Sequence, residues 1–101
     1  MNNEKIDLAS HDLELVIKIL QQYIPEHEVR VFGSRINNKA KKFSDLDLVV
    51  MTHEPLPLAT LADLAEAFSS SNLPIKVDLL DWARLGDEVR EMITKENVRL
   101  L

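Results

Sequence analysis

The sequence predicts an α/β fold, and three observations predict it. Short apolar runs of strand length alternate with longer segments of helical period. The two clearest runs, residues 46–51 and 75–81, are separated by a crossover long enough to hold a helix. Both runs also carry aspartates, which strands disfavour, so they read as neighbouring strands of one sheet with polar chemistry at an edge. With 101 residues the chain is read as one domain over 1–101, large enough for a single core and too small for a separate substrate-recognition domain.

The elements follow in order. Ser10 is expected to cap a helix through about Ile24, with Leu13, Ile17, Leu20 and Ile24 on one stripe and Pro25 ending it. Glu28-Val29-Arg30-Val31-Phe32 alternates like a short strand, and Gly33-Ser34 after it reads as a tight turn that can open a short helix. A basic stretch leads into Asp45 and the buried-strand run Leu46-Asp47-Leu48-Val49-Val50-Met51. After a connector at 52–57, Leu58 to about Ser70 has helical period through Leu61, Leu64, Ala65 and Phe68, and Ser69-Ser70-Ser71-Asn72 breaks it. A second acid-bearing strand follows Pro74. Gly86-Asp87 opens a last helix whose apolar side is Val89, Met92, Ile93 and Val98, and residues 98–101 are expected to order only against another surface. Trp82 reads either as a core residue at the sheet end or as an interface anchor.

The candidate chemistry lies in the acids. Asp45 and Asp47 stand at i and i+2 at the head of a strand, so their carboxylates share a face. At about 5 Å and an effective dielectric of ~20, two such charges repel by roughly 3 kcal/mol. A divalent cation offsets that repulsion, and hard oxygen ligands suit Mg²⁺, which takes substrate phosphates as further ligands. Asp78 would join the pair if its strand lies alongside, and three carboxylates suffice for two metal ions clamping an in-line phosphoryl or nucleotidyl transfer. Asp81 falls an odd number of residues from Asp78, faces the other way, and reads as a strand end or helix cap.

Gly33 lets the backbone approach a ligand without a Cβ in the way, and Ser34 adds a hydroxyl donor. Free amide groups of a short helix there would face phosphates, and Arg35, Lys39, Lys41 and Lys42 would add positive charge. Ser44 either reaches the phosphates or simply starts the strand. Lys76 shares the face of Asp78 and either pairs with it or touches the nucleotide, the pairing being favoured. His11, His27 and His53 have no metal-ligand spacing and read as surface residues.

Gly33-Ser34, ten intervening residues, Asp45-x-Asp47 and the later strand acid Asp78 together resemble the signature of the minimal nucleotidyltransferases, small members of the DNA polymerase beta superfamily. The resemblance covers nearly the whole chain. It implies an α/β (α+β) nucleotidyltransferase fold, a small mixed β-sheet flanked by helices. It further implies that Gly33 and Ser34 bind the triphosphate, that Asp45 and Asp47 bind Mg²⁺, and that Asp78 joins a second ion and helps deprotonate the acceptor. Members of this size are often encoded beside a HEPN-domain protein and act as its antitoxin, some by transferring AMP from ATP to a tyrosine of that partner. A non-catalytic nucleotide-binding subunit that neutralises or completes such a helical protein by contact, and a nucleotide sensor, are the alternatives.

Composition excludes several other classes. Seventeen acids against twelve bases give a net charge of −5, which argues against broad nucleic-acid binding. There is no cysteine, so disulfides, thiol nucleophiles and zinc–thiolate sites are excluded, in keeping with a reducing cytoplasm. Met1-Asn2-Asn3-Glu4-Lys5 lacks the apolar core of a signal peptide, and no stretch approaches the ~20 apolar residues of a membrane helix.

Overall fold

A computed structural model describes residues 5–101; residues 1–4, at the head of the segment read above for a signal peptide, lie outside the described residues. Helix α1 (Ser10–Tyr23) leads into strand β1 (Glu28–Phe32), a 3₁₀ turn over Gly33–Ile36, and strand β2 (Leu46–Met51). Helix α2 (Leu58–Ser69), strand β3 (Val77–Asp81), a second 3₁₀ turn over Trp82–Arg84, helix α3 (Asp87–Lys95) and strand β4 (Val98–Arg99) complete the order. The four strands make one mixed sheet in the order β3-β2-β1-β4. β1 runs antiparallel to β2 and β4, and β2 runs parallel to β3 through α2, the crossover the spacing predicts.

Alternation divides the sheet into two faces. Val29, Val31, Leu46, Leu48 and Val50 point one way and pack against α1 and α2 in a core that includes Leu13, Val16, Leu20, Leu64 and Phe68. Phe32 and Val49 point the other way and meet Ile93 of α3, with Met51, Leu80, Trp82 and Leu85 at the margin. Leu46, Leu48, Val49 and Val50 are each fully buried, so β2 is covered on both faces, as an interior strand of a small sheet must be. Trp82 is partly buried against this second cluster and has the Arg90 guanidinium 5.1 Å from its ring centre.

Two boundaries and one helix face differ from the sequence expectation. Ala9, not Ser10, occupies the cap position of α1 and makes no side-chain cap bond; its backbone is extended (φ −59°, ψ 142°), and Leu13 N–H reaches back to Ala9 O at 3.0 Å. The buried face of α1 runs through Asp12, Leu13, Val16, Ile19 and Leu20, so Ile17 is at its edge. Val98 does not belong to the last helix. It starts β4, opposite Val31, and the amides of Leu100 and Leu101 both donate to Val29 O, so residues 98–101 order against the chain's own edge strand. Unpaired donors and acceptors on the outer edge of β1 are what attract them. Among the described residues no helix is long and apolar enough to cross a membrane.

Candidate active site

The acids meet where β2 and β3 begin. Leu46 N–H donates to Lys76 O at 2.9 Å, which sets the parallel register and places Asp47 opposite Asp78 and Val50 opposite Asp81. Strand neighbours lie about 4.8 Å apart, so Asp47 and Asp78 stand side by side on the face that also carries Val49 and Leu80. Asp45 precedes β2 by one residue and is exposed, as is Asp78, while Asp47 is half-buried between them. Burial first, then the negative charges of Asp78 and Asp45, push the Asp47 carboxyl above its usual range. The three predicted acids therefore feel one another. None of them enters an ion pair among the described residues.

Gly33 closes the site from the β1 side. Its φ of +82° is a left-handed conformation that side-chain-bearing residues resist. A Cβ there would overlap Asp47 Oδ2 and lie 3.1 Å from its Cγ. The glycine is thus required twice, by backbone handedness and by the carboxylate against it. Ser34 follows in the same 3₁₀ turn and is partly exposed.

Two residues grouped with the nucleotide in the sequence, Arg35 and Ser44, also make hydrogen bonds within the fold. Arg35 is 6% exposed, and its guanidinium donates to the carbonyls of Asp7 (2.9 Å), Lys42 (3.2 Å) and Ser44 (2.9 Å from Nη2 and 3.3 Å from Nε). Its charge faces inward, at the backbone. Ser44 Oγ accepts from Lys41 N–H at 2.8 Å and so closes the turn ahead of β2, leaving its own hydroxyl proton free to donate. Lys39, Lys41 and Lys42 are exposed around this loop, Lys42 with its ammonium 5.3 Å from the Phe43 ring. The expected Lys76–Asp78 ion pair does not form among the described residues; Lys76 is exposed and contributes its carbonyl to the register instead.

Asp81 is a third kind of acid, one that spacing alone did not resolve. It is 4% exposed; Thr52 Oγ1 donates to its Oδ1, and Leu56 N–H and Arg84 Nε donate to its Oδ2 at 2.7 and 3.2 Å. Ala83 N–H donates in turn to Thr52 Oγ1 at 3.0 Å, and Arg84 Nη2 to Leu56 O at 2.7 Å. This network ties the end of β3 to the connector that starts α2. Its odd spacing from Asp78 was the one sequence signal that it serves elsewhere. His11 and His53 are exposed and His27 is half-buried at the start of β1.

An all-oxygen donor set with repelling charges suits a hard divalent cation such as Mg²⁺. The side chains are neighbours without being drawn together: among the described residues no three His, Cys, Asp or Glu groups already form a metal cage. A mixed sheet with helices on both faces and carboxylates facing each other beside a glycine turn defines the class, a nucleotidyltransferase-type fold. Residues 14–101 match the family described as polymerase beta, nucleotidyltransferase, and the chain belongs to that family. It is 50% identical over 91 residues, 90% of this chain and 80% of the relative, to "Probable protein adenylyltransferase MntA" of Haemophilus influenzae. A crystal structure of a toxin–antitoxin with AMP-PNP contains a chain that superposes with a TM-score of 0.75 at 24% identity, covering 88% of this chain and 72% of that one. A structure of tri-AMPylated Shewanella oneidensis HEPN toxin in complex with MNT antitoxin gives a TM-score of 0.66 at 22% identity, covering 90% of this chain and 70% of that one. At these identities the two structures share the fold.

Proposed function

We propose that this chain, working as one domain over its 101 residues, is a protein adenylyltransferase and antitoxin that transfers AMP from ATP to a tyrosine hydroxyl of a helical HEPN-domain partner. The observation that carries the proposal is the register of β2 on β3, which sets Asp47 against Asp78 with Asp45 alongside and Gly33 pressed on the Asp47 carboxylate. The 50% identity to a protein adenylyltransferase supports the reaction class, and the toxin–antitoxin neighbours support the partner class.

In the reaction, Gly33 and Ser34 hold the triphosphate, the glycine by leaving its backbone open and the serine through its hydroxyl. Asp45, Asp47 and Asp78 would hold Mg²⁺, which would supply neutralisation of the charge on the phosphates. Asp78 sits on the open edge of the acid cluster and takes the proton of the attacking hydroxyl. The acceptor oxygen bonds to the α-phosphorus as the bond from that phosphorus to the bridging oxygen breaks, and pyrophosphate leaves. The chain's contribution is position and electrostatics, with no covalent intermediate of its own. Ser44 donates its free hydroxyl proton toward the same phosphates.

The test is to incubate the protein with ATP, Mg²⁺ and the helical partner and to weigh the partner. A mass gain of one or more AMP units, lost when Asp45 and Asp47 are both changed to Asn, is the expected result. An unmodified partner that is nonetheless neutralised equally by wild type and by the doubly substituted, folded protein would establish the contact-only role instead.

A further inference from the structure

The geometry points to Arg35 as a positioning residue that sets the place of Asp45, and hence the affinity of the acid cluster for a divalent cation, by clamping the loop between the 3₁₀ turn and β2. This inference rests on the metal–nucleotide reading of the site given above.

A guanidinium that is 6% exposed is expected to face a carboxylate, because burying a charge without a partner costs several kcal/mol. Arg35 enters no ion pair among the described residues. It instead spends four hydrogen bonds on three backbone carbonyls, those of Asp7, Lys42 and Ser44. Those carbonyls belong to two separate stretches of chain. One is the segment ahead of α1, which answers with a bond of its own, Asp7 N–H to Arg35 O at 2.6 Å. The other is the last turn before β2, where the fork grips the Ser44 carbonyl from Nε and Nη2 together.

The Ser44 carbonyl is half of the peptide group that carries the Asp45 nitrogen. A planar peptide held at its oxygen has little freedom to pivot, so the Asp45 Cα is placed by the same two bonds. Three exposed lysines and the 71% exposed Phe43 give the loop little packing of its own to do this work. Asp45 lies outside β2 and is exposed, so the Leu46 N–H bond to Lys76 O holds it on the strand side and the arginine, with the Lys41–Ser44 turn, holds it on the loop side. Asp47 and Asp78, by contrast, are held by the strand ladder. The acid cluster thus has two acids held within sheet pairing and one, just ahead of β2, held on its loop side by a buried arginine. Lysine cannot replace the fork, since a single ammonium cannot span three carbonyls on two segments.

The experiment uses the full chain as wild type, Arg35→Met and Arg35→Lys, with Mn²⁺ followed by electron paramagnetic resonance in the presence of AMP-PNP. Both variants are expected to need about tenfold more Mn²⁺ for half-saturation, the lower end of what loss of an outer-shell partner costs a metal site. Trypsin is expected to cut after Lys39, Lys41 and Lys42 faster in both variants than in wild type, at a temperature where all three proteins remain folded. If Arg35→Met loses its cooperative melt, Arg35→Lys, which keeps the stem and the charge, decides the question. Equal Mn²⁺ half-saturation in wild type and folded variants overturns this inference and leaves the metal–nucleotide reading standing. Absence of Mn²⁺ binding by the wild type overturns that reading, and this inference with it.

Discussion

The two ends of β3 each carry an aspartate, and the chain treats them in opposite ways. At the far end Asp81 is buried and its two oxygens take three donors, from Thr52, Leu56 and Arg84. At the near end Asp78 is exposed, faces Asp47 across the parallel pair, and has no cation of the chain against it among the described residues. An acid satisfied by its own chain is a fastening. Acids pressed together without partners raise the energy of the free protein, and burial and like charge are what hold the Asp47 carboxyl above its usual range. A cation or a proton relieves that arrangement, so the two ends of β3 differ in whether the chain itself supplies the partner of the carboxylate.

The contrast can be broken most severely at Asp47. Asp47→Asn is expected to lower AMP transfer by about a thousandfold, measured by the partner's mass at fixed time, while leaving the melting temperature unchanged or raised because a repelling charge is gone. A large loss of stability would show that Asp47 is a fastening after all. Gly33→Ala comes next: its left-handed φ and the collision with Asp47 Oδ2 are expected to reduce transfer about a hundredfold through displacement of the carboxylate. The same change should cost about 1–2 kcal/mol in urea unfolding from backbone strain alone. Wild-type stability and activity in that variant would mean that the turn relaxes freely.

At the other end the signs reverse. Asp81→Ala leaves the Leu56 amide, the Thr52 hydroxyl and Arg84 without their acceptor, and is expected to destabilise the fold by about 3 kcal/mol in urea titration. Transfer per folded molecule should be nearly normal, since the network lies beyond the reacting groups. The smallest effect is one of pH. Because the folded-state value for Asp47 is raised above the unfolded one, the folded protein binds its proton more tightly, and this group's contribution favours folding at low pH and is lost as pH rises through the raised value. The stability advantage of Asp47→Asn over wild type should therefore be present at neutral pH and shrink as pH falls toward the ordinary carboxylate range. Melting curves of both proteins without added metal, taken across that range, measure it; a difference independent of pH would remove the repulsion from the explanation.

What the sequence determined by itself was local. The strand at Glu28–Phe32, the glycine turn, the strand at Leu46–Met51 and the helix at Leu58–Ser69 are each written in about ten residues of periodicity and turn chemistry, and they stand where they were expected. The expectation of a shared face for Asp45 and Asp47 came likewise from a two-residue repeat, and Asp45 stands one residue ahead of β2. Tertiary structure alone decided which groups meet. Asp78 came beside Asp47 because the bond from Leu46 to Lys76 fixes the register, and a slip of one residue would have turned it to the opposite face. Residues 98–101 became an edge of the sheet because β1 had backbone groups to pair, which no pattern in four residues can announce. Arg35 turned inward and Lys76 stayed exposed because the direction of a long cationic side chain depends on whether carbonyls or water surround it, and burial of that kind exists only once the chain has folded.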